Sequence, residues 1–468
     1  MSESINAVVN AINGFIWDYI IAFLVISAFW FTYKTKFVQI RQIPEMLRLM
    51  KEGVGASTAD NHISSFQAFC VSTASRVGVG NIAGIAIAIV LGGPGAVFWM
   101  WFLALIGSAT GFVESTLAQI YKEHLPEGGF RGGPAYYIRY GLKSPALAAL
   151  FAILISVTYG LIYASVQANT IAAALQPFNI SAETTGIVVS IMTAIIIFGG
   201  VTRVAKASEV IVPIMAGLYI LTALFVVMMN ITELPRVIAL IFSSAFDPMA
   251  AGGGFMGAAM MNGIKRGLFS NEAGEGSVPN AAATADATHP VKQGLIQAFG
   301  VYVDTMIICT SSAFIVLLSG NYTSGLTGIA LVQNDLSQQI GDWAPLAVAL
   351  FIFIFAFSSV IGNYYYGEIN ILHLFKKKSY LNIFRILVVT LVYIGSTASL
   401  DLVWNLADLF MAFMVITNLS SIIRLCDYTI IALKDYLAQK KAGIEEPIFD
   451  RSLLPDQEGI TWWDPTKK

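Results

Sequence analysis

Apolar runs long enough to cross a bilayer recur along almost the whole chain, from Trp17 to Leu425. A spanning helix needs roughly 20 mostly apolar residues. Eleven stretches meet or approach that length, at about 15–33, 64–91, 96–120, 147–175, 185–201, 210–229, 250–268, 293–318, 344–374, 384–399 and 402–425. Only 12% of the 468 residues are charged, about half the share usual in soluble domains. The chain is therefore read as an all-α polytopic protein of the cell membrane, with the lipid bilayer as its solvent.

Charge placement predicts the orientation, because cytoplasmic loops collect Lys and Arg. The connections after odd-numbered spans carry them: Lys34, Lys36 and Arg41; Lys122, Arg131, Arg139 and Lys143; Arg203 and Lys206; Lys265, Arg266 and Lys292; Lys376, Lys377, Lys378 and Arg385; Lys434, Lys440 and Lys441. The opposite connections are nearly bare, with Arg236 the main exception. The N-terminus is thus expected outside and the C-terminus inside. The opening MSESINAVVN is acidic and leads into a run long enough to span, so it does not read as a cleavable signal. Cys70, Cys309 and Cys426 are far apart, and His62, His124, His289 and His373 lie near segment ends. They make neither a metal spacing nor a disulfide framework. No cofactor, no nucleic-acid partner and no intramembrane enzyme is expected.

One expected span is a poor membrane helix. Cys70 to Gly84 reads CVSTASRVGVGNIAG, with Gly78, Gly80 and Gly84, the polar Ser72, Thr73, Ser75 and Asn81, and the charged Arg76. Non-helical backbone at membrane depth is tolerated only where protein buries it or it lines a cavity. The helix is expected to break near 74–81, where its freed backbone groups would bind something small. A second irregular segment, with Gly252, Gly253 and Gly254, opens the seventh span, and its break is expected near 252–261. With the first span set aside, the two irregular segments lie five spans apart. An odd number of crossings per half inverts the second half, and paired interrupted helices in inverted halves mark a secondary-transporter site. The organisation predicted is an extra N-terminal helix with an amphipathic linker (1–60), a first repeat (61–230), an external connection (231–249), a second repeat (250–426) and a cytoplasmic tail (427–468).

Several motifs then resemble one family. GGPGAVFWMWFLALIG (Gly92–Gly107) is similar to the signature of the alanine or glycine:cation symporters, which couple amino-acid uptake to sodium. SRVGVGNIAG (Ser75–Gly84), ESTLAQ (Glu114–Gln119), GGPAYYI (Gly132–Ile138), VQAN (Val166–Asn169), RGLFSNEAGEGS (Arg266–Ser277) and NYYYGE (Asn363–Glu368) agree in order along the chain. The resemblance implies a leucine-transporter-like fold of five plus five inverted helices with one added N-terminal helix. It also implies sodium-coupled symport of a small neutral amino acid, alanine or glycine, into the cell. A proton-coupled carrier, or a broader one for glutamine or serine, is the alternative, and a channel or a sensor is a more distant one. Two positions depart from the family pattern: Val79, often threonine, and Asn363, often tryptophan. The first loses a hydroxyl and the second exchanges a large ring for a small amide.

An amino acid's carboxylate suits the unpaired N–H groups at the start of a helix. Ser75, Gly78, Val79, Gly80 and Asn81 are the residues expected there. Met256, Gly257, Met260 and Met261 are expected to face the side chain or simply to fill the interior. Gln167, Asn169 and Asn363 would face the bundle, lining the site or bridging helices. For sodium, the resemblance implies Ser358 and Ser359 with the carbonyls of Ala74, Val77 and Phe355. Mid-helix serines also commonly bond back to their own preceding turn. Arg76 is expected to pair with Glu114, Glu272 or Asp304 as a gate or lock, because a free guanidinium would repel a nearby cation.

Overall fold

The structure is a computed structural model that describes residues 2–53, 62–125, 128–199, 201–246, 257–375 and 377–463. Among these, seven helices are long and apolar enough to cross a membrane, or nine when each sharply bent pair counts as one span. One further apolar helix is shorter, Ala182–Ile197, with 16 residues, and Ala258–Asn271, with 14, is more polar. The strand content is one two-residue ladder, in which Glu123 faces Arg131. The amphipathic piece after the first helix is Ile43–Gly53, where Arg48 pairs with Glu45 and Glu52.

The first irregular segment is two helices. Ser65–Arg76 opens on a capping box, in which Ser64 Oγ accepts from Gln67 N at 3.1 Å and Ser64 N donates to Gln67 Oε1 at 3.0 Å. Such a box satisfies two otherwise orphaned donors. The helix stops where Val77 turns extended, at φ −82° and ψ 90°. One π-helical turn, Gly80–Gly84, then leads into Ile85–Gly92, bent 52° from the first half. The first half packs on Val201–Met229 and Ala344–Leu374, and the second on Ala258–Asn271.

Among the described residues, a break in the second irregular segment lies after its helix and not within 257–261. Residues 252–256 lie outside the described residues, and 258–261 are helical. Ala258–Asn271 instead ends at Glu272, which is left-handed at φ 59°, and Gly274 (φ 103°) and Gly276 (φ 80°) carry the chain on to the short helix Val278–Ala282. Left-handed backbone is cheap for glycine, so AGEG interrupts this span within the described residues. Arg266, placed by sequence in a basic loop, is inside that helix and buried. The last helix, Leu400–Lys441, runs for 42 residues, and the tail folds back so that Phe449, Leu454 and Trp463 are buried.

Small residues let helices meet closely. Gly160, in the π-turn of Thr158–Tyr163, and Gly367, in Ala344–Leu374, press on opposite sides of the buried Phe384 ring in Lys378–Thr397. A Cβ at either position would overlap that ring. Overpacking a filled interior costs about 1–3 kcal/mol, so Gly160→Ala is expected to lower the melting temperature in detergent, and Phe384→Leu in the same chain to restore part of it. A variant that melts with the parent would show that the ring can turn aside.

Candidate functional site

Breaking the helix at Val77–Val79 frees backbone groups, and side chains from distant helices take them up. Gly78 N donates to Asn81 Oδ1 at 3.0 Å, and Val79 N donates to Gln167 Oε1 at 3.1 Å. On the carbonyl side, Ser359 Oγ lies 3.0 Å from Ala74 O, 3.3 Å from Val77 O and 3.0 Å from Phe355 O. A hydroxyl carries one proton. Four oxygens therefore converge with a single proton among them, an arrangement that suits a hard cation. The approach depends on Gly78, where a Cβ would strike Ser359 Oγ and come within 2.9 Å of Gln167 Oε1. Gly362 likewise brings Ala344–Leu374 against the backbone of Ser75, 3.0 Å from where its own Cβ would be.

The second break faces the first. Ser75 Oγ donates to Glu272 Oε1 at 2.8 Å and lies 2.7 Å from Asn363 Oδ1. Ser277 Oγ donates to Glu272 Oε2 at 2.5 Å. Asn81 Nδ2 donates to Asp304 Oδ1 at 2.6 Å, and Ser270 Oγ to Asp304 Oδ2 at 2.7 Å. Glu114 accepts from Gly274 N at 3.1 Å and from Asn418 Nδ2 at 2.8 Å. Glu275, on the same loop, accepts from the Tyr159 hydroxyl at 2.6 Å and the Tyr163 hydroxyl at 3.3 Å. Beside the break, Phe269 packs between Tyr163 and Trp404 with tilted rings, centroids 4.6 and 4.8 Å away, and fills the space left by the missing Cβ of Gly80. Trp404 in turn lies under the Arg266 guanidinium at 4.5 Å, and Arg266 pairs with Asp408 at 2.6 Å.

A cavity of about 510 Å³ leads toward this centre. Gly325, Thr327 and Ala398 line its loop side, and Asn169, Thr170 and Ala83 its inner side. Ala83 lies one turn past the break.

The structure thus gathers Ser75, Gly78, Val79, Gly80, Asn81, Gln167 and Asn363 with Ala74, Val77, Phe355 and Ser359. Others fall elsewhere. Ser358 Oγ bonds back to Phe355 O at 2.8 Å and faces Met215, in an apolar cavity on the other side of the helix. Asn169 is a helix bridge, donating to Gly395 O at 3.0 Å and Ala398 O at 2.7 Å. Met256 lies outside the described residues. Gly257, Met260 and Met261 belong to the end of Ala258–Asn271 that packs against Gly92, a helix of roughly 18 Å away from the break at 1.5 Å per residue. Arg76 is in ion-pair contact with none of its three expected partners among the described residues, because neutral donors already hold those carboxyl groups. Its Nη1 donates to Gln297 O at 3.4 Å, while Nε and Nη2 are buried without a partner. Sequence reasoning missed Glu275, Ser277, Tyr159, Tyr163, Phe269 and Trp404. The glycine-rich NEAGEGS stretch carried the same signal as SRVGVGN.

A family model described as the sodium:alanine symporter family matches residues 2–451. The chain is 52% identical over 466 residues to a probable sodium/glutamine symporter, GlnT, of Bacillus subtilis (strain 168), covering 99% of this chain and 97% of that protein. It is 48% identical over 469 residues to the amino-acid carrier protein AlsT of the same organism, covering 100% of both. The sodium/alanine symporter AgcS of Methanococcus maripaludis is 37% identical over 430 residues, covering 90% of this chain and 94% of that one. Among solved structures, MhsT in complex with L-phenylalanine matches with a TM-score of 0.53 at 14% identity, over 82% of this chain and 91% of that one. A Na+-coupled sialic acid symporter matches with a TM-score of 0.50 at 12% identity, over 90% of this chain and 87% of that one. These two likenesses show the leucine-transporter-like fold expected from the sequence.

Replacing Gly78 tests how far the centre depends on close approach. Gly78→Ala drives a methyl into the Ser359 hydroxyl and Gln167. It is expected to weaken sodium-dependent amino-acid binding at least ~10-fold, the loss of one charge-assisted contact, with the protein still monodisperse in detergent. Binding indistinguishable from the parent's would show that the four oxygens need not converge.

Proposed function

The chain belongs to the sodium:alanine symporter family, and on that premise we propose that it imports a small neutral amino acid with sodium, both bound at the Val77–Val79 break. It is a multi-pass membrane transporter, not an enzyme. The observation that carries the proposed site is the convergence of Ala74 O, Val77 O, Phe355 O and Ser359 Oγ. Sodium among these oxygens links the broken span to Ala344–Leu374. The amino acid's carboxylate takes the N–H groups of Gly78 and Val79 in place of Asn81 and Gln167, with the partial positive charge of the following half-helix behind it. Both ligands thus act on one hinge, and each raises the affinity for the other by the same factor.

The side chain faces Phe269, Tyr163 and Trp404, and alanine or glycine suits an enclosure of such large rings. A second reading, glutamine, draws on the relative named for glutamine and on Asn363, whose small amide stands where the family pattern often has tryptophan.

Proteoliposomes with an imposed sodium gradient test the proposal directly. Labelled alanine is expected to accumulate only with sodium outside, and unlabelled glycine and glutamine to rank the preference by counterflow. Uptake that proceeds undiminished without the gradient would end the sodium reading. Ser359→Ala is expected to raise the half-saturation for sodium ~10-fold or more, since contacts to charged groups contribute about 1.5–3 kcal/mol. An unchanged sodium dependence would remove Ser359 from the ion site.

A further inference from the structure

We propose that Glu272, with Ser75, Ser277 and Asn363, forms a second monovalent-cation site, separate from the oxygens around Ser359; the inference rests on the reading of the chain as an ion-coupled amino-acid transporter. Glu272 is 2% exposed and belongs to one break, while Ser75 (5%) belongs to the other and Asn363 (1%) to the long helix Ala344–Leu374. All three of the main structural parts that meet at the centre therefore contribute an oxygen. Ser75 Oγ touches Glu272 Oε1 at 2.8 Å and Asn363 Oδ1 at 2.7 Å, yet its one proton can serve only one of these acceptors. Turning the Asn363 amide satisfies Ser75 Oγ but leaves Asn363 itself with an unpartnered atom. As placed, its nitrogen is buried without a partner; turned, that nitrogen reaches Ser75 and the oxygen takes its place as the orphan. The Tyr366 hydroxyl is buried beside Ser75 and the same carboxylate. An unpaired buried polar atom is expensive, and here one lies on Asn363, beside a carboxyl group that has no cation in ion-pair contact among the described residues.

The surrounding charge points the same way. Glu114, Glu272, Glu275 and Asp304 are all buried around the two breaks. Arg76 faces Glu114, Glu272 and Asp304 but supplies a single positive charge. Tyr159 and Tyr163 add only neutral hydroxyls. An excess of negative charge in an apolar interior calls for a cation or protons. One carboxyl group with hydroxyl and amide oxygens matches a singly charged hard ligand. That chemistry has two sources: a second sodium ion, or the ammonium group of the amino acid. Either one would replace the Ser75 proton as the bridge between the two breaks, so that occupying the site draws the halves together.

The purified full chain tests this with two probes, radiolabelled sodium alone and a radiolabelled amino acid at fixed sodium. If sodium occupies the site, Glu272→Gln lowers the sodium bound by one ion per chain, and Ser359→Ala lowers it separately. If the ammonium occupies it, Glu272→Gln leaves the sodium count intact and weakens amino-acid binding at least ~10-fold. Glu272→Asp, which keeps the charge, recovers part of the loss in either case. An unchanged sodium count together with unchanged amino-acid affinity would overturn the proposal. So would a variant altered only in its pH dependence, which would leave Glu272 with a proton alone. Should Glu272→Gln not fold, Ser277→Ala decides, because it removes a neutral oxygen and keeps the carboxyl group. It is expected to weaken the same ligand several-fold, and parental binding in that variant would also overturn the site. A parent that binds no sodium would remove the Ser359 reading, while the amino-acid arm still decides on Glu272.

Discussion

Three residues of backbone between two half-helices, Val77 to Val79, set the terms for the rest of the molecule. Inside an apolar medium each freed N–H and C=O must find a partner within the protein. Two of the partners come from far away in sequence, Gln167 from the fourth apolar span and Ser359 from the long Ala344–Leu374 helix, and the third, Asn81, from the following turn. The hydrogen bonds that make the broken helix tolerable are thus the same ones that assemble the bundle around it. Asn81 extends the chain of contacts one step further, since its amide nitrogen reaches Asp304, which also accepts from Ser270 beside the second break. Stability and site geometry are one set of interactions.

The second break adds charge to this frame. Its two left-handed glycines hold Glu272 and Glu275 on opposite sides of one short loop, where Ser75 and Ser277 serve the first and Tyr159 and Tyr163 the second. Carboxyl groups in such surroundings are held by neutral donors rather than by bases, which leaves their charge open to exchange with a ligand. The buried pair Arg266–Asp408 is the contrast. It is closed in ion-pair contact, and the guanidinium is stacked on Trp404, so it orients the ring wall over the break instead of binding a solute.

Much of this was legible in the sequence because breaks announce themselves by composition. Gly78, Gly80, Asn81 and the polar residues beside them predicted an interruption, and their positions relative to Ser359 followed from the family resemblance. Lateral position was less legible. Ser358 and Ser359 are chemically identical neighbours, and only the 100° turn between them puts one at the break and the other against Met215. Gln167 and Asn169 separate in the same way, one at Val79 N and the other at Gly395 and Ala398. The second irregular segment was less legible: two glycine-rich stretches flank Ala258–Asn271, Gly252–Gly254 lies outside the described residues, and a run of glycines says nothing about which backbone turns left-handed. For Arg76 the reasoning weighed charge alone, whereas serine, asparagine and backbone donors had already occupied the carboxyl groups.

A transporter must bind its solutes specifically and still release them, and the way this centre is satisfied meets both demands. The N–H groups that a ligand would use already have internal partners in Asn81 and Gln167, while three carbonyls share the single Ser359 proton. Binding at the N–H side therefore exchanges one hydrogen bond for another, and the net gain is the difference between a charged ligand and a neutral side chain, about 1–2 kcal/mol per contact. Such modest differences still shift a two-state equilibrium when several act on the same hinge, because a ligand moves a conformational balance only by its differential affinity for the two states. In the proposed arrangement, sodium at the carbonyl side and a carboxylate at the N–H side would address the two ends of the same short stretch of backbone. Either alone would leave one end in its internal arrangement, and coupling between ion and amino acid would follow from the backbone they share.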